Sequence, residues 1–390
     1  MNSHEDDEEE KGGEVFLEED DIIEEIVVDE EELPDVDDGI GSDVDTDELD
    51  DSVHIFTGHT EEVYTVACSP TDASMVATGG RDDKGFLWKI CRADWGLELQ
   101  GHTDSVSALA FSADGQLLAS GGFDGLIQVW DATSCSRKCV LEGPGKGIEW
   151  IRWHPRGHLV LGGSEDSTVW MWNADKNTYL NVFSGHGGTV TCGDFTPDGK
   201  TICTGSDDAS LRIWNPKTGE NVHVVRGHPY HTDGLTCLAI TADSALAITG
   251  SMDGSVHMVS ITTGKVINSL VSHSDSVECI GLSSSHPWVA TGGMDQKLII
   301  WDLQRSSTRC TCDHEEGVTC LLWLGGSHYI ATGCVDGKIR VWDGLSGNCI
   351  KTFHGHTDVV QSLAISADGQ HLVSGSLDRT ARVFEISEFR

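Results

Sequence analysis

Seven times along this chain a histidine, a hydroxyl residue and an aspartate follow one another at nearly fixed spacing. The sets are His59/Thr78/Asp82, His102/Ser120/Asp124, His186/Thr204/Asp208, His228/Thr249/Asp253, His273/Thr291/Asp295, His314/Thr332/Asp336 and His356/Ser374/Asp378. Imidazole, hydroxyl and carboxylate are the parts of a hydrolytic triad, in which the imidazole takes the hydroxyl proton and the carboxylate orients the imidazole. An enzyme needs one such set in one cleft. Seven at a regular interval read as a structural repeat instead. The chain has no Gly-rich phosphate loop, HExxH or calcium-loop pattern. No catalytic residue, metal or cofactor is therefore expected.

The elements that position these sets are short strands. Aspartates recur at Asp82, Asp124, Asp166, Asp208, Asp253, Asp295, Asp336 and Asp378, at intervals of 42, 42, 42, 45, 42, 41 and 42 residues. Six residues after each stands Trp88, Trp130, Trp172, Trp214, Val259, Trp301, Trp342 or Phe384. In the second unit Val106–Phe111, Leu117–Ser120, Leu126–Trp130 and Lys138–Leu141 read as four strands separated by Ala113-Asp114-Gly115 and Phe123-Asp124-Gly125 turns. Helical periodicity is absent. A period near 40–45 residues with a Gly-His start and a Trp-Asp end marks a four-stranded propeller blade.

From about residue 52 to its end the chain resembles the WD-repeat family. The expected fold is an all-β propeller with eight blades favoured over seven. The chain ends just after the third strand of its last unit, so Val53–Phe56 is expected to supply the missing fourth strand and close the ring. The resemblance also implies that each histidine, hydroxyl, aspartate and Trp N–H form one buried network pinning a turn. The third unit lacks the histidine (Pro144) and the hydroxyl (Gly162), and the fifth and eighth lack the Trp. The fifth and eighth blades are expected to be held less tightly.

Composition divides the chain into an acidic tail, 1–51, and the repeat region, 52–390. The tail holds 26 of the 64 Asp/Glu and one of the 25 Lys/Arg, leaving 38 acidic and 24 basic residues for the repeats. So acidic a run repels itself and is expected to be disordered. Within it, Ile22, Ile23, Ile26 and Val27 in the segment Glu14–Pro34 would make one face of a short docking helix. Neither segment suits nucleic acid by charge. The 13 cysteines include no CxxC pair, and Cys68, Cys192, Cys237, Cys279 and Cys320 recur near equivalent places in first strands, which suits packing in a reducing compartment. No stretch suits a signal peptide or a membrane span. The expected location is the cytoplasm, with the nucleus as a second.

A propeller binds partners on its faces. In the WD-repeat family the residues just before the aspartates, and those starting the first strands, commonly point to one surface. Here these positions hold Phe123, Glu165, Asp207, Met252 and Met294 with Glu62, Tyr64, Glu149 and Glu278. Carboxylates mixed with apolar anchors suit a basic peptide. The acidic tail with its Ile-Ile-Glu-Glu-Ile-Val-Val core, the segment Gly79–Trp88 and the segment Glu149–Arg156 are similar to the angio-associated migratory cell protein family. Its relatives include fungal chaperones dedicated to a newly made, basic large-subunit ribosomal protein. The resemblance implies a similar role here, for a monomer acting on a basic client. A general scaffold and a substrate receptor of a ubiquitin ligase are the alternatives. The second lacks support, because such receptors carry Arg two residues after a Trp-Asp and this chain has Thr133, Gln304 and Leu345 there.

Overall fold

A computed structural model describes residues 50–390 except Ser272. The segment Glu14–Pro34 and nearly all of the acidic tail lie outside the described residues. What is described is an eight-bladed, all-β propeller. Each blade is a four-stranded antiparallel meander. In blade 2 the strands are Val106–Phe111, Leu117–Gly122, Ile127–Asp131 and Ser136–Leu141. The first strands pack side by side, and Val360–Ile365 of blade 8 meets Val63–Cys68 of blade 1, which closes the ring.

Closure uses both chain ends. His54–Phe56 pairs antiparallel with Ala381–Glu385 as the fourth strand of blade 8, with His54 opposite Val383. The attachment begins earlier than residue 52. Asp51 donates its amide to the His354 carbonyl and Asp50 ion-pairs with Arg382. This tie leaves no unpaired fourth-strand partner in the last sheet.

The cores lie between and within the blades, filled by second- and third-strand residues such as Val76, Leu87, Leu118, Val129 and Trp172. In four of the eight blades a residue at the start of the first strand carries a hydroxyl that bonds the next blade. Thr191 donates to the Leu235 carbonyl at 2.5 Å and Thr319 to Val360 at 2.5 Å, and Ser107 and Thr236 repeat the bond to Ile148 and Val277. Blades 1, 3, 6 and 8 carry Tyr64, Glu149, Glu278 and Gln361 there instead. These positions give up an interblade bond and gain a side chain of another chemistry.

Cys192, Cys237, Cys279 and Cys320 share one repeat position, each opposite a second-strand glycine (Gly205, Gly250, Gly292 and Gly333), whereas Cys68 ends its strand opposite Val76. The recurrence therefore covers four blades, not five. Burial pushes the Cys192 and Cys320 thiols up to about 12, so they act as apolar packing groups.

Candidate functional site: the loop-bearing rim

The repeated polar sets assemble inside the blades. In blade 2 His102 Nδ1 donates to Asp124 at 3.0 Å, His102 Nε2 meets Ser120 Oγ at 2.9 Å, and Trp130 donates to the same hydroxyl at 3.1 Å. A carboxylate only accepts, so the imidazole proton sits on Nδ1 and Nε2 accepts a hydrogen bond from the hydroxyl. That is triad connectivity, but Ser120, Thr204, Thr291 and Ser374 have no exposed surface. A sealed hydroxyl meets no substrate, so these sets pin turns. Asp124 also accepts the amides of Thr103 and Leu126. Burial of Asp124 opposes ionisation, but His102 and the two amides outweigh it and hold the carboxyl below its usual range.

Blades 4 and 6 repeat the arrangement. His186 meets Asp208 at 3.3 Å and Thr204 at 2.8 Å, with Trp214 donating to Thr204; His273 meets Asp295 at 2.9 Å and Thr291 at 2.8 Å, with Trp301 donating to Thr291. Blade 8 keeps His356 between Asp378 and Ser374, both at 2.7 Å, and packs Phe384 where the indole would be. In blade 1 His59 joins Asp82 and Thr78, yet the Trp88 Nε1 finds no partner.

Three expectations are corrected. In blade 5 the network histidine is His231, not His228. His231 meets Thr249 at 2.8 Å and Ser255 at 2.7 Å, and reaches Asp253 at 3.4 Å. The three extra residues precede it, and they do not simply lengthen a surface loop. They carry Tyr230 inward, where its hydroxyl meets Thr249 at 2.9 Å beside Val259. Tyr230 thus supplies the ring and the polar contact that Val259 lacks, so this blade is not left open. In blade 7 His314 meets Thr332 at 3.0 Å, and Trp342 donates to Thr332. Its Nδ1, however, lies 3.3 Å from the Cys312 carbonyl. Asp336 has turned to Arg340, 2.6 Å away, because a guanidinium offers a stronger charge-assisted partner than a neutral imidazole. The signal for His231 was present in the sequence: it lies 22 residues before Asp253, as His102 does before Asp124.

The residue before each aspartate is fixed at the rim by one backbone bond. Phe123 donates its amide to the Ser105 carbonyl, Glu165 to Gly147, Asp207 to Thr189, Met252 to Gly234 and Met294 to Ser276, all at 2.9–3.0 Å. The Phe123 ring lies against Gly147 of the next blade and the Met294 sulfur against Gly317 of the next. A Cβ at Gly147 would fall 2.7 Å from that ring. Met252 and Met294 are 50% and 39% exposed.

The five rim carboxylates are not equivalent. Glu62 is paired with Arg81 at 3.1 Å, beside Tyr64. Glu278 accepts the Ser276 hydroxyl at 2.6 Å. Glu149, Glu165 and Asp207 converge from blades 3 and 4. Burial, then the charges of Glu165 and Asp207, push the Glu149 carboxyl up to about 7. Asp207 is raised by burial and by Asp208 and Asp233, against a hydrogen bond from Thr189. Among the described residues no cation pairs with Glu149, Glu165 or Asp207. The acidity is thus a sector, bracketed along the rim by Phe123 and Met252, rather than an even ring.

Two tryptophans beside this sector tie blade 3 to its neighbours. Trp153 donates to the Ala110 carbonyl of blade 2 at 2.8 Å, and Trp150 to Val190 of blade 4 at 2.8 Å. Both indoles are buried, and Trp150 is pressed between Gly163 and Gly193, where any Cβ would collide with the ring. Among the described residues no group of His, Cys, Asp and Glu is arranged to hold a metal ion, and no helix is long and apolar enough to cross a membrane.

The WD domain, G-beta repeat family matches at residues 50–89, 96–131, 135–173, 177–215, 219–260, 264–302, 306–343 and 347–385. The angio-associated migratory cell proteins of dog and human are each 35% identical over 350 residues, covering 86% of this chain and 80% of theirs. This chain belongs to the angio-associated migratory cell protein family of WD-repeat proteins. Among solved structures, Sqt1 from Chaetomium thermophilum superposes with a TM-score of 0.80 at 25% identity, covering 86% of this chain and 98% of that one. A second Sqt1 structure, bound to the N-terminus of the ribosomal protein L10, gives 0.79 at 24%, covering 87% and 100%. Within the family fold, the acidic sector is specific chemistry added to a common ring, since nothing in the repeat itself requires carboxylates at 149, 165 and 207.

Proposed function

We propose that this protein is a non-enzymatic escort that captures a basic segment of a newly made large-subunit ribosomal protein on its acidic rim. The observation that carries the reading is the Glu149–Glu165–Asp207 sector. Three carboxylates without a cation repel one another, and a Lys or Arg side chain placed among them relieves that repulsion while its own charge is masked. Phe123, Met252 and Met294 give apolar side chains of the client somewhere to pack. The L10 N-terminus held by the Sqt1 propeller supports the choice of client. The summed field of the acidic face steers such a client toward the rim. The protein acts as a monomer in the cytoplasm, with the nucleus as a second location.

The test is fluorescence anisotropy with a labelled N-terminal peptide of L10. Glu165→Lys with Asp207→Lys is expected to weaken binding by about tenfold or more at low salt. The difference shrinks as added salt shortens the Debye length below about 8 Å. Deleting residues 1–49, which spares the Asp50 and Asp51 contacts that close the ring, is expected to slow association more than it speeds dissociation. Unchanged affinity of the double reversal at low salt overturns the rim as the binding face.

A further inference from the structure

On the face opposite the rim, two grooves occupy repeat-equivalent positions. One lies between blades 7 and 8, the other between blades 5 and 6. Their correspondence is set by the backbone. Ile386 stands two residues after Phe384 and donates its amide to Gln370; Leu303 stands two residues after Trp301 and donates to Pro287. Tyr329 and Leu246 likewise each begin the second strand of the preceding blade.

The groove between blades 7 and 8 is partly filled by the chain itself, which leaves a smaller cavity of about 430 Å³ there. Blade 8 takes its fourth strand from His54–Phe56, so the residues after Glu385 are free to turn. They form the short 3-10 turn Ser387–Phe389. The Phe389 ring is 3% exposed, meets Tyr329 edge-on at 5.5 Å, and packs in one cluster with Leu324 and Ile386. Ile386 is left 1% exposed.

Between blades 5 and 6 the same stretch of chain runs on into the strand Ser307–Asp313, so nothing turns back. A cavity of about 670 Å³ remains, lined on its apolar side by Ile240, Leu246, Leu282, Trp288 and Leu303. Other large apolar residues at the position of Leu303, namely Ile90, Ile261 and Ile386, are only 7%, 6% and 1% exposed. Leu303 keeps part of its surface open. Ala132, Ala174, Pro216 and Gly344 stand there in the remaining blades and offer far less apolar surface.

We propose that the groove between blades 5 and 6 docks a partner segment through one aromatic side chain, seated as Phe389 is seated between blades 7 and 8. The internal occupant defines the chemistry: an aromatic ring on a short turn, flanked by a basic residue. Arg390 follows Phe389 and is attracted to Asp368 of blade 8; in the open groove Ser285 stands at that position and the carboxylate, Asp243, comes from the facing wall of blade 5. A site of this volume, apolar with one rim charge, holds an anchor residue rather than a flat interface.

The chain's own end is the probe. A synthetic peptide of residues 383–390 is titrated into the full-length protein carrying labelled Ile and Leu methyl groups, and into the Leu303→Glu variant. The expected result is methyl shifts at Leu246, Leu282 and Leu303 with a Kd of about 1 mM or tighter. The peptide with Phe389→Ala is expected to bind about tenfold more weakly, and Leu303→Glu to abolish the shifts while still capturing the basic client at the rim. Silence of these methyls in the unaltered protein, equal binding of the two peptides, or shifts confined to Leu324 and Ile386 overturns the proposal.

Discussion

Blade 5 and blade 3 each lack part of the network that blades 2, 4 and 6 carry complete, and they restore order in opposite directions. Blade 5 is repaired from within. Three inserted residues bring Tyr230 onto Thr249, and His231 and Ser255 complete the set. Blade 3 is held from outside. With neither imidazole nor hydroxyl, its Asp166 still accepts the Gly145 amide, while Trp150 and Trp153 bond carbonyls in blades 4 and 2. Internal repair leaves a blade self-sufficient. External support makes a blade's rim depend on its neighbours, and it is blade 3 that contributes Glu149 and Glu165. The sector proposed to bind the client thus rests on a blade that lacks the shared histidine and hydroxyl and in which Asp166 is held by Thr168 and Gly145 instead.

The largest expected effect comes from removing the two substitutes. Tyr230→Ala and Trp150→Ala should each cost about 3–5 kcal/mol, as buried aromatic truncations do. Amide exchange separates them. Tyr230→Ala should expose amides of blade 5 alone, Trp150→Ala those of blades 3 and 4 together; the same spread in both variants breaks the comparison. Next comes the shared aspartate. Asp124→Ala should destabilise by about 1–3 kcal/mol, because it strips His102 and two amides of their acceptor. Asp166→Ala should cost less, since no imidazole depends on it. Denaturant midpoints decide, and an equal or larger loss at Asp166 contradicts external support.

Acid should act on one blade and spare the other. Burial first, and then the neighbouring His257, lower His231 to about 4. Unfolding restores its value to about 6.5, so between these limits the unfolded state binds the extra proton. Its contribution is present above pH 6.5 and is lost as pH falls toward 4. His314 in blade 7, lowered to about 4 by burial and Arg340, has the same sign. Exchange compared at pH 7.5 and 5.5 should show blades 5 and 7 loosening before blade 3, and simultaneous loosening would refute this. The smallest effect concerns Glu149. Its raised carboxyl takes up a proton in the fold that the unfolded chain releases above about 4.3, so its charge costs stability as pH rises through 7. Glu149→Gln should therefore raise Tm by about 2–4 °C at pH 8 while weakening client capture. A lowered Tm would show that the three carboxylates do not repel.

Much of the ring was legible because a repeat states the same constraint many times. One Asp and one Trp spaced six apart say little; six such spacings among eight regularly spaced aspartates, with a spare strand before the first, specify blades and closure. What the sequence hid was exchange between residues that do not align. Tyr230 does not occupy the Trp position it replaces, and the choice of Asp336 between His314 and Arg340 is a competition of charges at 2.6 Å. Convergence was hidden too. Glu62, Glu149, Glu165, Asp207 and Glu278 read alike along the chain, but only bonded geometry separates the one neutralised by Arg81 from the three that crowd together. The groove beside Leu303 was invisible for a further reason: its meaning depends on Phe389, which partly fills its counterpart two blades away.

The pairing of His54–Phe56 with Ala381–Glu385 also sets a clock on synthesis. The opening strand of the ring is the first of its strands to leave the ribosome, yet its partner begins at Ala381, 325 residues after Phe56. At about 5–20 residues per second, the two are separated by roughly 20–60 s. Throughout that interval the nascent chain carries a strand with no sheet to join, kept to three residues and so a poor template for other chains. A protein proposed to shelter another newborn chain must itself pass through an unfinished state, which lasts until Ala381–Glu385 has been made.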